Sequence, residues 1–173
     1  MMEAYQFEHA SMRDYYTLSQ LLADAKAKMT SLGIIQWNEH YPNGNVIEQD
    51  IMEGKLWVLR SLDDEVLCMG TLTHEPLEQG AAINPHQIYL KRVITASNSG
   101  IKGLGSLFLK HCFLQLEPQI TTIYSCTNHT NFLMRKLLEK EQFVKIGEHQ
   151  LAGREAMGSF YIYERKLNTD FLF

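Results

Sequence analysis

Arg92-Val93-Ile94-Thr95-Ala96-Ser97-Asn98-Ser99-Gly100-Ile101-Lys102-Gly103-Leu104-Gly105-Ser106 passes from a β-branched run through a polar, glycine-bearing turn into the head of an apolar helix. Backbone N–H groups at a helix start have no intrahelical partner and lie at the positive end of the helix dipole, so such a strand–turn–helix is suited to hold phosphate. Gly100, Gly103 and Gly105 keep Cβ atoms out of a ligand's path, and Lys102 adds a positive charge.

Spacing excludes two phosphate-binding patterns. A P-loop places Lys-Ser or Lys-Thr after its second glycine, whereas Lys102 precedes Gly103 and no such pair follows. A dinucleotide fold needs Gly-x-Gly-x-x-Gly early in a series of parallel units, and Gly100, Gly103 and Gly105 have the reverse spacing. The third ligand suited to this turn is the pyrophosphate of coenzyme A.

Working outward, Gln87 to Thr95 reads as the strand before the turn and Leu104 to Leu116 as a helix buried on more than one side, with Pro118 just beyond. Thr121 to Thr127 is β-branched and aromatic, hence a strand. Leu133, Met134, Leu137 and Leu138 mark one face of a following helix, and Phe143 to His149 and Ser159 to Lys166 close the chain as two strands. On the N-terminal side, Tyr5 to His9 is a strand. Ser11 with Asp14 forms a capping box for a helix carrying Leu18, Leu22, Ala25 and Met29, and Asn45 with Glu48 opens a second helix that ends at Gly54. Lys55 to Leu62 and Glu65 to Thr73 form a hairpin about Asp63-Asp64, with Gly70 marking a bulge or a close backbone approach. One strand–helix–strand crossover makes a local parallel pair in a mostly antiparallel sheet, so the class is mixed α/β with about four helices.

The chain resembles the GNAT superfamily of N-acetyltransferases over nearly its whole length. The family's turn reads Arg/Gln-x-x-Gly-x-Gly/Ala; Gly103 and Gly105 match its small positions, and Gly100 stands where the arginine or glutamine is usual. Tyr89 to Thr95 is similar to the strand before that turn, and Asn131-Phe132-Leu133-Met134 with Leu137-Leu138-Glu139-Lys140 and Phe143 is similar to the family's last helix and following strand. Trp37, Tyr41-Pro42, Asp50-Ile51 and Gly54 to Val58 are similar to one branch of small bacterial-type members. The resemblance implies a six- to seven-stranded sheet splayed open between its parallel strands and acetyl-CoA as co-substrate. It further implies main-chain contacts from Val93, Ile94 and Thr95 to the pantetheine arm. Gly100, Ile101, Lys102, Gly103, Leu104, Gly105 and Ser106 would hold the pyrophosphate, and Asn131 would reach the arm from the last helix. It implies the Ile94 N–H as the donor to the thioester oxygen.

Acetyl transfer to an amine needs a neutral nucleophile, a donor where negative charge builds, and a proton for the departing thiolate. Many members use a tyrosine acid in Tyr-Glu-Lys-x-Gly-Phe; here Leu138-Glu139-Lys140-Glu141-Gln142-Phe143 puts a leucine there, which cannot donate. His74, Glu75 and Tyr124 are the base candidates, His111 reads as a hydrogen-bonded structural histidine, and no catalytic residue is assigned. Trp37, Tyr41 and Trp57 are candidate pocket walls, with acceptor loops at 31–45 and 75–86. A non-catalytic acyl-CoA-binding module with a sensing role is the alternative.

The length of 173 residues suits one domain over 1–173, and 45% apolar against 21% charged residues is the mix of a folded globule. A net charge of −4 with no basic stretch argues against nucleic acid, and mildly favours a cationic amine. Cys68, Cys112 and Cys126 are an odd set without metal spacing, read as reduced, packed thiols of a cytoplasmic protein. Residues 1–8 lack the basic and apolar regions of a signal peptide, and no run is long enough to span a membrane. The last strand and the apolar tail Phe171-Leu172-Phe173 are candidates for a homodimer interface.

Overall fold

A computed structural model describes residues 4–78 and 80–167. The tail Phe171-Leu172-Phe173 lies outside the described residues. Seven strands form one sheet in the order β1-β2-β3-β4-β5-β7-β6. They are β1 (Tyr5–His9), β2 (Leu56–Ser61), β3 (Val66–Thr73), β4 (Gln87–Thr95), β5 (Thr122–Asn128), β6 (Val144–Gln150) and β7 (Ser159–Lys166). Only β4 and β5 pair in parallel. The helices are α1 (Tyr15–Ser31), α2 (Gly44–Met52), α3 (Leu104–Gln115) and α4 (Phe132–Lys140).

The sheet carries an apolar layer on each face. Leu59, Leu90 and Ile123 meet Phe108 and Leu109 of α3 and Leu138 of α4 on one face. On the other, Val58 and Met69 meet Leu18 and Leu22 of α1 and Ile47 and Ile51 of α2. Alternation along each strand sorts the residues between these layers. Helix α1 is tied to the sheet edge through its entry turn: Asp14 accepts from the Ser11 N–H at 3.0 Å and from the Arg60 guanidinium of β2 at 2.6 Å. Arg60, 2% exposed, also donates to Glu8 of β1. Helix α2 starts two residues earlier than the sequence suggests. Asn43, not Asn45, is the cap, its side chain accepting from the Val46 N–H. Both asparagines precede an apolar run, and the loop geometry selects the first. All three cysteines are free thiols, two of them buried.

Two features of β4 shape the middle of the sheet. Its ladder with β5 runs from Gln87↔Thr122 to Leu90↔Ser125 and stops, while β4 stays on β3 as far as Thr95 and β5 stays on β7 as far as Asn128. The strands therefore part and leave unpaired edges facing each other. Just beyond the parting point the β3–β4 register slips from Thr71↔Lys91 to Met69↔Ile94, so Arg92 and Val93 oppose Gly70 alone. Arg92 adopts φ 54°, the left-handed conformation of a bulge.

Gly70 fills the close-approach role expected of it. A Cβ there would lie 2.6 and 2.8 Å from ring carbons of Phe108, which is fully buried. Gly70→Val is expected to destabilise the protein by about 2 kcal/mol or more through overpacking, measured as a lower urea midpoint at unchanged m-value.

Candidate functional site

The parted strands open into a cleft of about 670 Å³ that runs to the head of α3. Val93, Ile94, Thr95, Gly100, Ile101, Lys102, Gly103, Leu104, Gly105, Ser106 and Asn131 all line it, so the fold brings together every residue of the expected cofactor set. Their contributions differ. Gly103 caps α3 at φ 77° and Gly100 sits at φ 69°; both are left-handed, and no atom lies within 4 Å of where a Cβ would stand. These two glycines shape the turn and leave its concave side open. The Leu107 N–H is the first to bond back into the helix, to Gly103 at 3.0 Å. The N–H groups of Leu104, Gly105 and Ser106 thus project from the helix start. Gly105 serves packing: a Cβ there would meet Leu137 of α4 at 2.9 Å.

Strand alternation corrects one expectation on β4. The Ala96 N–H donates to Leu67 at 2.8 Å, and Met69↔Ile94 lies two residues along the same register, so Ile94 also turns its N–H and C=O to β3. The groups facing the cleft are those of Val93 and Thr95. Ile94 cannot serve as the main-chain donor there, because β3 already engages its N–H.

Asn131 caps α4, accepting from Met134 N–H at 3.1 Å and donating to Gln36 at 3.2 Å. Sequence reading missed Gln36. Its Oε1 also accepts from Thr127 Oγ1 at 2.8 Å and from the Asn128 N–H at 2.7 Å, so the loop after α1 occupies the free edge of β5. Nothing in the sequence signals a partner 91 residues away. Lysines around the cleft were also missed: Lys28 of α1 and Lys136 and Lys140 of α4 line it together with Lys102. Among the described residues none of the four has a carboxylate within ion-pair distance. The i,i+4 spacing of Lys136 and Lys140 was the available signal.

At the inner end, Lys91 and Cys126 line the cleft immediately past the last β4–β5 pair. Beside them runs a buried polar chain. Asp50 accepts from Thr71 at 2.9 Å and from Arg92 at 2.9 and 2.7 Å, and Arg92 donates to the Tyr41 hydroxyl at 2.8 Å. Burial and the neighbouring Arg92 push the Lys91 ammonium below its usual value, with Glu75 and Asp50 pulling the other way. Burial pushes the Cys126 thiol up to about 11, against the opposing pull of Arg154 and Lys91.

Of the remaining candidates, His74, Tyr124, Trp57 and His111 fall outside the cleft lining. His74 is bonded through Nδ1 to the Gln87 carbonyl at the far end of β4. Tyr124 stacks on Tyr89, and burial together with Glu164 raises it to about 12. Trp57 is sandwiched between Phe7 and His9 and is no pocket wall, whereas Trp37 lines the cleft. His111 stacks on Phe7, and its buried Nε2 has no hydrogen-bond partner among the described residues, so packing on the aromatic ring is the contact that places it. Leu138 is fully buried in the core.

The whole architecture has counterparts among solved structures. An acetyltransferase of the GNAT family from Streptococcus agalactiae is similar at a TM-score of 0.80 with 21% identity, over 95% of this chain and 96% of that one. The chain has the GNAT acetyltransferase fold. A second GNAT-family acetyltransferase, from Listeria monocytogenes, superposes at 0.72 with 19% identity over 94% and 95% of the two chains. The N-acetylglutamate synthase of Neisseria gonorrhoeae, solved with coenzyme A and N-acetyl-glutamate, matches at 0.64 with 14% identity over 95% of this chain and 35% of its own. No protein-family model and no curated protein matches the sequence. Within the GNAT fold, the seven strands, the single parallel pair and the four helices agree with the sequence reading.

The raised thiol has a measurable consequence. At about pH 7.5 iodoacetamide is expected to leave Cys126 unmodified over times that label an ordinary cysteine of pKa ~8.5, and labelling accelerates only as the pH rises well beyond that value. Mass spectrometry of the tryptic peptides reads the site directly.

Proposed function

We propose that the protein transfers an acetyl group from acetyl-CoA to an amine of a small molecule or peptide. The observation that carries this reading is the α3 head, with outward N–H groups beside two left-handed glycines, standing at the end of a cleft between two parted strands and lined by five lysines that have no ion-pair partner among the described residues. A pyrophosphate suits the first part and an extended amide-bearing arm suits the second. The GNAT fold and the coenzyme A held by the Neisseria structure agree with it.

When bound, the thioester supplies an activated acetyl carbon: the C–N bond forms as C–S breaks, the amine releases a proton and the thiol departs. The residues of this chain would bind and orient. Leu104, Gly105 and Ser106 offer N–H groups to phosphate oxygens, with Lys102, Lys136 and Lys140 adding charge. Val93 and Thr95 offer main-chain groups to the arm, and Val93, within the bulge, is the nearer of the two to the point where the strands part. Holding amine and acetyl carbon together accounts for much of the rate, because the thioester is already reactive. The second reading, an acyl-CoA-binding sensor without turnover, is favoured by Leu138, which removes the usual acid.

Calorimetric titration with acetyl-CoA, beside ATP and NAD, tests the reading: micromolar binding of acetyl-CoA alone is expected, and its absence overturns both versions. Lys102→Glu, an exposed position, is expected to weaken binding on the order of tenfold, about 1.4 kcal/mol, with the melting temperature unchanged. Release of free thiol with a panel of amines separates the enzyme from the sensor.

A further inference from the structure

The inner end of the cleft is cationic in a way that thioester binding does not require. Lys91 and Cys126 lie one residue past the last parallel pair, Leu90↔Ser125. Alternation sends both side chains to the sheet face that carries Tyr89 and Tyr124, opposite the face where Leu90 packs on α3. This face is covered by α1 and α2 over β2, β3 and the end of β4, and the connection between β6 and β7 supplies Arg154 beside it. The Arg154 guanidinium lies 4.8 Å over the Tyr41 ring and 5.6 Å over the Phe160 ring. The Tyr41 hydroxyl in turn accepts from Arg92. Arg154, Tyr41 and Arg92 thus form a chain of contacts that ends beside Lys91 in the sequence, and Arg154 and Lys91 both oppose the rise of the Cys126 thiol.

Of these three cations only Arg92 is neutralised, by Asp50. Lys91 and Arg154 have no carboxylate within ion-pair distance among the described residues, although both are partly buried. Asp50 is occupied by Arg92 and Thr71, and Glu75 is exposed to solvent, so neither completes the balance. Two partly buried cations on one face of the sheet, neither with a carboxylate partner among the described residues, suit a compact anion. The acetyl group carries no charge, so the anion belongs to the other substrate.

We infer that the acceptor is a small molecule bearing a carboxylate as well as the reacting amine, as a free amino acid does, and that Lys91 and Arg154 bind the carboxylate. The inference rests on the acetyl-transfer reading for the amine, and on the geometry of the two cations for the carboxylate. It reverses the preference suggested by the net charge of −4, because that sum counts exposed carboxylates remote from the cleft. A site built for a charged group discriminates strongly against an analogue lacking it, since its buried partners are left unpaired.

The test compares free amino acids with their carboxamides as acceptors for acetyl-CoA, in wild type, Lys91→Met and Arg154→Met, with circular dichroism to confirm folding. Wild type is expected to use acids at least about tenfold better in kcat/KM, and each variant to bring the acid-to-amide ratio close to one, mainly through a higher KM for the acids. Equal or better use of amides by wild type, or variants that depress both acceptor kinds alike, would overturn the inference. If acetyl-CoA fails to bind at all, the transfer reading falls, and the carboxylate site is then read by thermal shift. Acids and not amides should stabilise the wild type, and the difference should vanish in Arg154→Met. No such difference overturns the inference as well.

Discussion

The ion pair between Arg92 and Asp50 is the constraint on which the middle of this molecule depends. A left-handed arginine costs roughly 1 kcal/mol relative to ordinary strand geometry. Two charge-assisted bonds to Asp50 and a third to Tyr41 hold it there, in a setting where Asp50 is 6% exposed and charged bonds are strong. With Arg92 fixed, β4 carries one extra residue against β3, the parity of its main chain inverts between Lys91 and Ile94, and the strand leaves β5 while remaining on β3. Gly70 and Phe108 make the same bend from below, since only a residue without Cβ admits the ring. The cleft is therefore a product of packing and charge in the core.

That origin explains how the two ends of the cleft differ. The outer end is made of things that any helix start and any surface lysine can supply, arranged around an open turn. The inner end is made of groups that would be costly to bury alone, and they are tolerated because they share partners: Asp50 serves Thr71 and Arg92, and Tyr41 serves Arg92 and Arg154. Two ligands, one with negative groups at its outer end and an extended, amide-bearing arm and the other a small anion at the inner end, match this arrangement better than a nucleotide does.

The fold was legible in the sequence because its signals are local and mutually consistent. The bounds of β1 and β4 are those of their alternating runs, Gly70 announced the bulge, and the apolar run after the glycine turn announced α3. The position of the candidate cofactor site was legible for the same reason, being a contiguous turn. What stayed hidden is whatever depends on parity or on distance along the chain. No pattern tells that Ile94 turns its N–H to β3 instead of the cleft, since this follows from a bulge whose register is set by tertiary packing. Gly105 reads as a ligand glycine, and its contact with α4 is not visible in the sequence, because both uses demand the absence of a Cβ. Trp57 looked like a pocket wall because aromatic residues carry no label for which face of a strand is covered. Gln36 and Arg154 sit in irregular segments, where side chains are placed by the surfaces they meet.

The side chain of Gln36 stands in for a strand. Its amide oxygen takes up the Asn128 N–H and the Thr127 hydroxyl at a sheet edge left open by the parting of β4 and β5, the kind of edge that elsewhere recruits a second chain. One residue of a loop thereby seals the end of an interior gap without closing it, and couples the loop between α1 and α2 to the far half of the sheet. The order of that loop and the width of the gap become a single variable. Gln36 and Trp37 belong at once to the loop and to the wall of the gap, so a mutation of either alters both.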